Sequence, residues 1–288
     1  MPSPKSIKIL STRIDCLDFN QVHQKLTDLV NQSPADIIVT PNPEIVLQAQ
    51  SDSVLMSVIN RSSLSIPDGT GLIWAAKYNS LPLTNLPIVK NLQAAFQLVW
   101  TLLAHLFIPS FGRDIVQERI TGTDIIPELA KICADNQRSI FFLGAGPGVA
   151  QEAAARLQAI NPQLIVAGTH AGHWPEEFDE ENRRIINQAQ PECLILAFGA
   201  PREQWWIDRN LPHLPSVNLV IGIGGGLDFI AETVSVLGGK QAVRAPQWIR
   251  QLKLEWLHRL FYQPDRWRRI FNAVVIFPLK IMLAKLKQ

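Results

Sequence analysis

Five turn-forming clusters, each following a short apolar run, carry residue types from which a phosphate-handling site could be built. They are Thr40-Pro41-Asn42-Pro43-Glu44, Pro67-Asp68-Gly69-Thr70-Gly71, Gly144-Ala145-Gly146-Pro147-Gly148, Gly199-Ala200-Pro201-Arg202-Glu203-Gln204, and the run from Gly222 to Gly226. Glycines such as Gly144, Gly146, Gly224 and Gly225 let backbone amides approach a ligand closely. A helix that starts behind such a turn adds further amides suited to an anion. A nucleotide-linked substrate fits this chemistry.

These clusters need a scaffold, and the chain between them alternates strand-like and helix-like segments. Strands are expected at Ile7 to Leu10, Asp36 to Thr40, Leu64 to Ile66, Ile140 to Leu143, Leu164 to Ala167, Cys193 to Phe198 and Leu219 to Ile223. Helices are expected at Gln21 to Asn31, Pro43 to Ser51, Gly71 to Tyr78, Ile125 to Asn136, Val149 to Ile160, Glu177 to Gln190, Arg202 to Leu211 and Trp248 to Tyr262. Strands apolar on both faces and interleaved with helices imply an α/β fold, a Rossmann-like, mostly parallel sheet with helices on both faces. Ligands of such sheets sit at the C-terminal edge of the strands, where the five clusters fall. The expected organisation is a core over 1–243 with an apolar insertion at 78–117, followed by a helical C-terminal appendage over 244–288.

Composition removes several classes of function. Cys16, Cys133 and Cys193 are too few and too dispersed for a disulfide framework or a cysteine-rich zinc site. The six histidines lack HxxxH spacing and no Asp-x-Asp pair is present, so neither a metal nor a cofactor is assigned. A GxxxxGK loop is missing too, which argues against ATP hydrolysis. The cluster at Gly144 tempts one toward a dinucleotide, but the next strand ends Ala167-Gly168-Thr169-His170, without the acid that would bind a ribose. An NAD(P)-dependent oxidoreductase is therefore the weaker alternative. The residues before Ile7 contain no apolar signal-peptide segment, and a cytoplasmic compartment is expected.

From Arg244 to Gln288 there are ten basic and two acidic residues, a balance of +8 that leaves −6 on the rest of a chain of net charge +2. Trp248, Trp256, Tyr262, Trp267 and Phe271 are interleaved among them, so the stretch suits a polyanion. Nucleic acid and anionic lipid compete for that description. The segment Ile270 to Leu286 favours lipid, because Ile270, Phe271, Val274, Phe277 and Ile281 contribute to an apolar body with Lys280, Lys285 and Lys287 near one end. Such a helix would lie along the inner face of the cell membrane with its lysines reaching the headgroups. An anionic membrane surface is thus an expected partner and nucleic acid is not, while a homo-oligomer is left open. A membrane- or nucleic-acid-binding protein without enzymatic activity is the alternative from another class.

Taken in order, the clusters at Thr40 and Pro67, the block Glu118-Arg119-Ile120-Thr121-Gly122-Thr123-Asp124, Gly199-Ala200-Pro201-Arg202, Gly222-Ile223-Gly224-Gly225 with Asp228-Phe229, Arg244-Ala245-Pro246-Gln247-Trp248, and Leu254-Glu255-Trp256 with Arg259-Leu260 resemble the WecG/TagA/CpsF glycosyltransferases. The resemblance spans nearly the whole chain. It implies a membrane-peripheral enzyme that moves a hexose, of N-acetylmannosamine or related type, from a UDP-sugar donor to a polyprenyl-diphosphate-linked sugar, with inversion and without an essential metal. Cell-surface polysaccharide or teichoic-acid-like assembly is the implied setting. It further implies Asp68 as the base, Thr40 and Asn42 lining its pocket, and Arg119 facing phosphate charge. Arg244, Arg266 and Arg269 are expected to bring positive charge over the site from the appendage. Read without the resemblance, Asp68 is equally a Pro-Asp-Gly turn residue, and Thr40 and Asn42 equally cap the helix at Pro43. Asp124 is expected to cap a helix.

Two departures stand out. The family commonly has Gln then Glu after the Gly-x-Pro-basic turn, whereas here Glu203 precedes Gln204, so the substrate-binding role of the amide is assigned to Gln204. In addition, 78–117 interrupts the usual short connection, and within it Ala94 to Phe111 is apolar and free of Asp, Glu, Lys and Arg. At 18 residues it falls short of the roughly 20 that cross a bilayer. Core helix, membrane-dipping helix and subunit contact all remain open for it.

Overall fold

The computed structural model of the protein describes residues 6–32, 35–231 and 267–287, together with 249, 257, 260 and 261. Arg244, Arg266, residues 232–243 and most of the helix expected at Trp248 to Tyr262 lie outside the described residues. The chain opens with β1 (Ser6–Ile9) and β2 (Thr12–Asp15), an antiparallel hairpin rather than a strand of the main sheet. Its turn places Leu10 at φ 47° and Ser11 at φ 66°, the paired left-handed conformation that matches strand twist in a two-residue hairpin.

The main sheet contains β3 (Asp36–Val39), β4 (Leu64–Ser65), β5 (Ser139–Gly144), β6 (Ile165–His170), β7 (Cys193–Ala197) and β8 (Leu219–Gly222), in the spatial order β4-β3-β8-β7-β5-β6. All five pairings are parallel, as expected from strands that are apolar on both faces. Successive side chains point to opposite faces. Ile38, Ile140, Phe142, Ile195 and Ile221 join one buried cluster, while Ile37, Val39, Phe141, Leu194 and Val220 join another.

The first cluster is roofed by α1 (Phe19–Val30), α6 (Gly122–Asp135), α7 (Val149–Ile160) and α10 (Gly226–Ile230). Helices α3 (Ser53–Arg61), α8 (Asp179–Ala189) and α9 (Arg202–Asn210) cover the second. Local chemistry fixes the helix starts. Asp18 and Gln21 form a reciprocal capping box on α1, and Thr121 and Asp124 form one on α6, so Asp124 has the capping role expected of it.

A third cluster lies beside the sheet and joins segments distant in sequence. It brings Ile9 and Ile14 of the hairpin together with Trp74 and Tyr78 of α4 (Thr70–Ser80), Leu98 of α5 (Pro87–Phe107), and Phe277 and Ile281 near the C-terminus. The C-terminal helix comprises α11 (Trp267–Phe271), a π-helical turn Asn272–Ile276, and α12 (Phe277–Leu286). Pro278, which has no amide to donate back along the helix, lies two residues past the end of the widened turn. The apolar body read as lipid-facing is thus divided: Phe277 and Ile281 are buried in protein, whereas Phe271 and Val274 are exposed. Lys285 is buried too, and its Nζ donates to the Tyr78 carbonyl and to Gln97 Oε1 while lying over the Tyr78 ring. Desolvation lowers this amine to about 8. The helix of the insertion begins at Pro87, earlier than its uncharged stretch suggests, and buries one face while exposing the other.

Candidate active site

Parallel pairing carries the C-terminal ends of all six strands to one edge, and that edge assembles the clusters. The loop after β3 and the loop after β4 are tied by the Asp68 amide, which donates to the Pro41 carbonyl at 2.8 Å. Asp68 is half-buried and immediately precedes Gly69, the N-cap of α4. Asn42 caps α2 (Pro43–Ala49), its Oδ1 accepting from the amides of Glu44 and Ile45 at 3.0 Å each. Its side-chain oxygen is therefore engaged as the capping reading expects. Thr40 faces the start of α6: a side chain grown on Gly122 would meet Thr40 Oγ1 at 3.5 Å and Ile223 Cβ at 3.9 Å. Arg119, half-buried, sits three residues before Gly122.

The strip continues along β8 and β7. Gly224 and Gly199 lie against each other, and beneath both is a side chain whose part the sequence did not disclose. Glu203 is 3% exposed, and its Oε2 accepts from the amides of Gly199 at 3.2 Å and Gly224 at 3.0 Å. It occupies space that only glycine at 222 leaves open, since a Cβ there would lie 2.8 Å from Glu203 Cδ. Burial raises the Glu203 carboxyl to about 7, against the opposing pull of the Gly224 amide, the Gln204 side chain and the Gly199 amide. A carboxyl in so dry a setting loses hydration that three donors replace only in part. The Gly224 amide thus holds its turn instead of pointing to a ligand.

Gln204 is buried next to Glu203, with Nε2 donating to Glu203 Oε1 at 3.2 Å and Oε1 left without a hydrogen-bond partner among the described residues. It stands behind the turns. Gly144 is likewise packed into the sheet: at φ 106° it approaches β7 so closely that a Cβ would meet the Ala197 carbonyl carbon at 2.8 Å. Gly146 and the exposed Gly225 lie at the open surface of the edge. Arg269 reaches the same neighbourhood from α11, pairing through Nε with Glu44 in the first turn of α2. The structure therefore gathers Thr40, Asn42, Asp68, Gly144, Gly146, Gly224, Gly225 and Arg269 around one edge, with Arg119 in the segment that leads into α6 and Glu203 and Gln204 supporting the edge from below. Among the described residues no group of three or more His, Cys, Asp or Glu is placed to hold a metal ion.

A half-buried carboxylate on one loop, beside amide-rich turns on neighbouring strands, can deprotonate a hydroxyl while a phosphate-bearing group is held close by. Known proteins are similar to this chain in sequence. A family model described as "Glycosyl transferase WecG/TagA/CpsF family" matches residues 7–107 and 102–288. The chain is 29% identical over 285 residues to the N-acetylglucosaminyldiphosphoundecaprenol N-acetyl-beta-D-mannosaminyltransferase of Staphylococcus aureus (strain NCTC 8325 / PS 47), covering 98% of this chain and 94% of that one. It is 26% identical over 263 residues to the enzyme of that name from Bacillus subtilis (strain 168), covering 91% and 82%.

Proposed function

Because the chain belongs to the WecG/TagA/CpsF glycosyltransferase family, we propose that it transfers a hexose, of N-acetylmannosamine or related type, from a UDP-sugar to a polyprenyl-diphosphate-linked sugar in the assembly of a cell-surface polymer. The observation that carries the reading is the position of Asp68, anchored through its amide to the Thr40 loop at the edge where the glycine turns converge. In the proposed step the Asp68 carboxylate takes the proton of the acceptor hydroxyl as that oxygen attacks the anomeric carbon. The carbon–oxygen bond to the diphosphate breaks on the opposite face, which inverts an α-linked donor to a β-linked product. Charge accumulating on the departing diphosphate falls to Arg119 and to amides at the open turns near Gly146 and Gly225, without a cation. Thr40 shapes the wall beside the base, and Asn42 fixes the start of α2 that forms its floor.

Glu203 touches no reacting atom in this scheme. It is a positioning residue that sets the separation of the Gly199 and Gly224 turns. Arg269 and, from outside the described residues, Arg244 and Arg266 are proposed to add positive field for a lipid diphosphate. No helix among the described residues is long and apolar enough to cross a membrane, and we place the enzyme at the inner face of the cell membrane, where its acceptor would lie.

The experiment is transfer of radiolabelled sugar from UDP-N-acetylmannosamine to a lipid-linked N-acetylglucosamine diphosphate, with wild type beside Asp68→Asn. The variant should keep its fold and donor binding and lose roughly a hundredfold or more in turnover. Near-normal turnover by Asp68→Asn would reduce Asp68 to a turn residue and remove the proposed mechanism.

A further inference from the structure

Helix α5 reverses the usual distribution of side chains. Apart from Leu98 its buried face is small or polar, with Ala94, Gln97, Thr101 and Ala104, while Ile88, Leu92, Phe96, Val99, Leu103 and Phe107 are exposed, four of them to between 69% and 78%. Their spacing of three and four residues draws one stripe along the helix, about 28 Å long. Beside it runs the C-terminal helix, joined by Lys90 Nζ to the Leu286 carbonyl and by Lys285 to Gln97. This second helix exposes Phe271, Val274, Leu279 and Leu283.

We propose that the outer faces of α5 and of the C-terminal helix together form a surface that inserts into the headgroup region of an anionic phospholipid leaflet, with α5 as its main apolar contact. The inference rests on the proposed transfer to a lipid-linked acceptor. Two further observations select lipid over a second copy of the chain. Neither 87–107 nor 267–287 contains a single acidic residue, whereas Arg268, Lys280 and Lys287 are exposed at the same surface. A copy docked face to face would oppose like charges, while phosphatidylglycerol or another anionic lipid would neutralise them. The surface also adjoins the candidate site, because α11 is tied by Arg269 to Glu44, two residues from Asn42. An apolar stripe of this extent on an exposed face marks an interaction surface.

The test uses the full chain and the triple variant Leu92→Gln, Phe96→Gln, Leu103→Gln, all at exposed positions, with an unchanged melting curve as the check on folding. Co-sedimentation is measured with phosphatidylglycerol-containing and with pure phosphatidylcholine vesicles, at low and high salt. Transfer is measured in parallel to a vesicle-embedded acceptor and to a short-chain soluble acceptor. Wild type should bind the anionic vesicles better, with a salt-resistant fraction supplied by apolar burial. The variant should lose about tenfold or more of that fraction. It should also lose transfer to the embedded acceptor while keeping transfer to the soluble one. Equal vesicle binding by both proteins at high salt would overturn the proposal. So would a wild-type dimer that the substitutions dissociate without changing vesicle binding, which would make the stripe a contact between copies. A wild type inactive on both acceptors, with vesicle binding still lost in the variant, would overturn the proposed reaction and leave the lipid surface standing.

Discussion

Replacing Glu203 by glutamine should make the protein more stable at neutral and alkaline pH, and the structure sets the size of the gain. The carboxyl has an ordinary value of 4.5 and is raised by burial to about 7, a gap worth about 3 kcal/mol. Below pH 4.5 the group is protonated in both folded and unfolded chains and costs nothing. Between 4.5 and about 7 the unfolded chain releases a proton that the folded chain retains, so stability falls as pH rises. Above that window the full cost is present. Glutamine removes this slope while its carbonyl oxygen can still accept from the Gly199 and Gly224 amides. Its NH2 group replaces the Oε1 that now accepts from Gln204 Nε2, and it can donate to Gln204 Oε1 once that amide turns over, exchanging one hydrogen bond for another. Thermal denaturation of wild type and Glu203→Gln should give coincident curves near pH 4 and a gain of roughly 6 °C for the variant at pH 8. A variant less stable than wild type at pH 8, or a difference that does not change between pH 4 and pH 8, would refute the account of Glu203 as a desolvated carboxylate.

Two further outcomes are expected. Chelation with EDTA should leave transfer largely intact if Arg119 and backbone amides meet the diphosphate charge; complete loss restored by magnesium or manganese would show that a cation does so instead. Phe277→Ala should destabilise the whole protein by about 3–5 kcal/mol, because the ring is fully buried between the C-terminal helix and the third cluster, and a chemical denaturation midpoint unchanged from wild type would show that the helix is a dispensable appendage.

The central strands β3, β5, β7 and β8 are legible because burial on both faces leaves each as a short, mainly apolar run, and the turn residues after them mark the site edge, whereas edge strand β6 runs on through Gly168, Thr169 and His170, past its apolar start. Strand β2 is not legible, since Thr12-Arg13-Ile14-Asp15 alternates with polar residues and its turn, Leu10-Ser11, lacks the Asn-Gly or Asp-Gly that announces a hairpin. Helix α3 is only nine residues long, and its one local signal is the Asp52 cap. Helix α5 hides its ends for a different reason. Its inward face mixes Ala94, Gln97, Leu98, Thr101 and Ala104 and its outward face is apolar, so no continuous polar face contrasts with an apolar one to set a period. At the site, sequence order brings Asp68, Thr40 and Asn42 into view, but the part played by Glu203 depends on the absence of a side chain at Gly222, on another strand.

The third cluster also governs when the protein can finish folding as it is made. Its inner surface combines Ile9 and Trp74 with Phe277 and Ile281, so the seat of α5 is incomplete until those two residues have been translated. At about 5–20 residues per second, the 170 residues from Phe107 on to Phe277 take roughly 8–35 s to synthesise. Throughout that interval a long apolar helix is present on the nascent chain without the element that clasps it through Lys285. Folding of the doubly covered sheet can proceed meanwhile, but α5 reaches its resting place only after the segment carrying Phe277 and Ile281 has emerged from the ribosome.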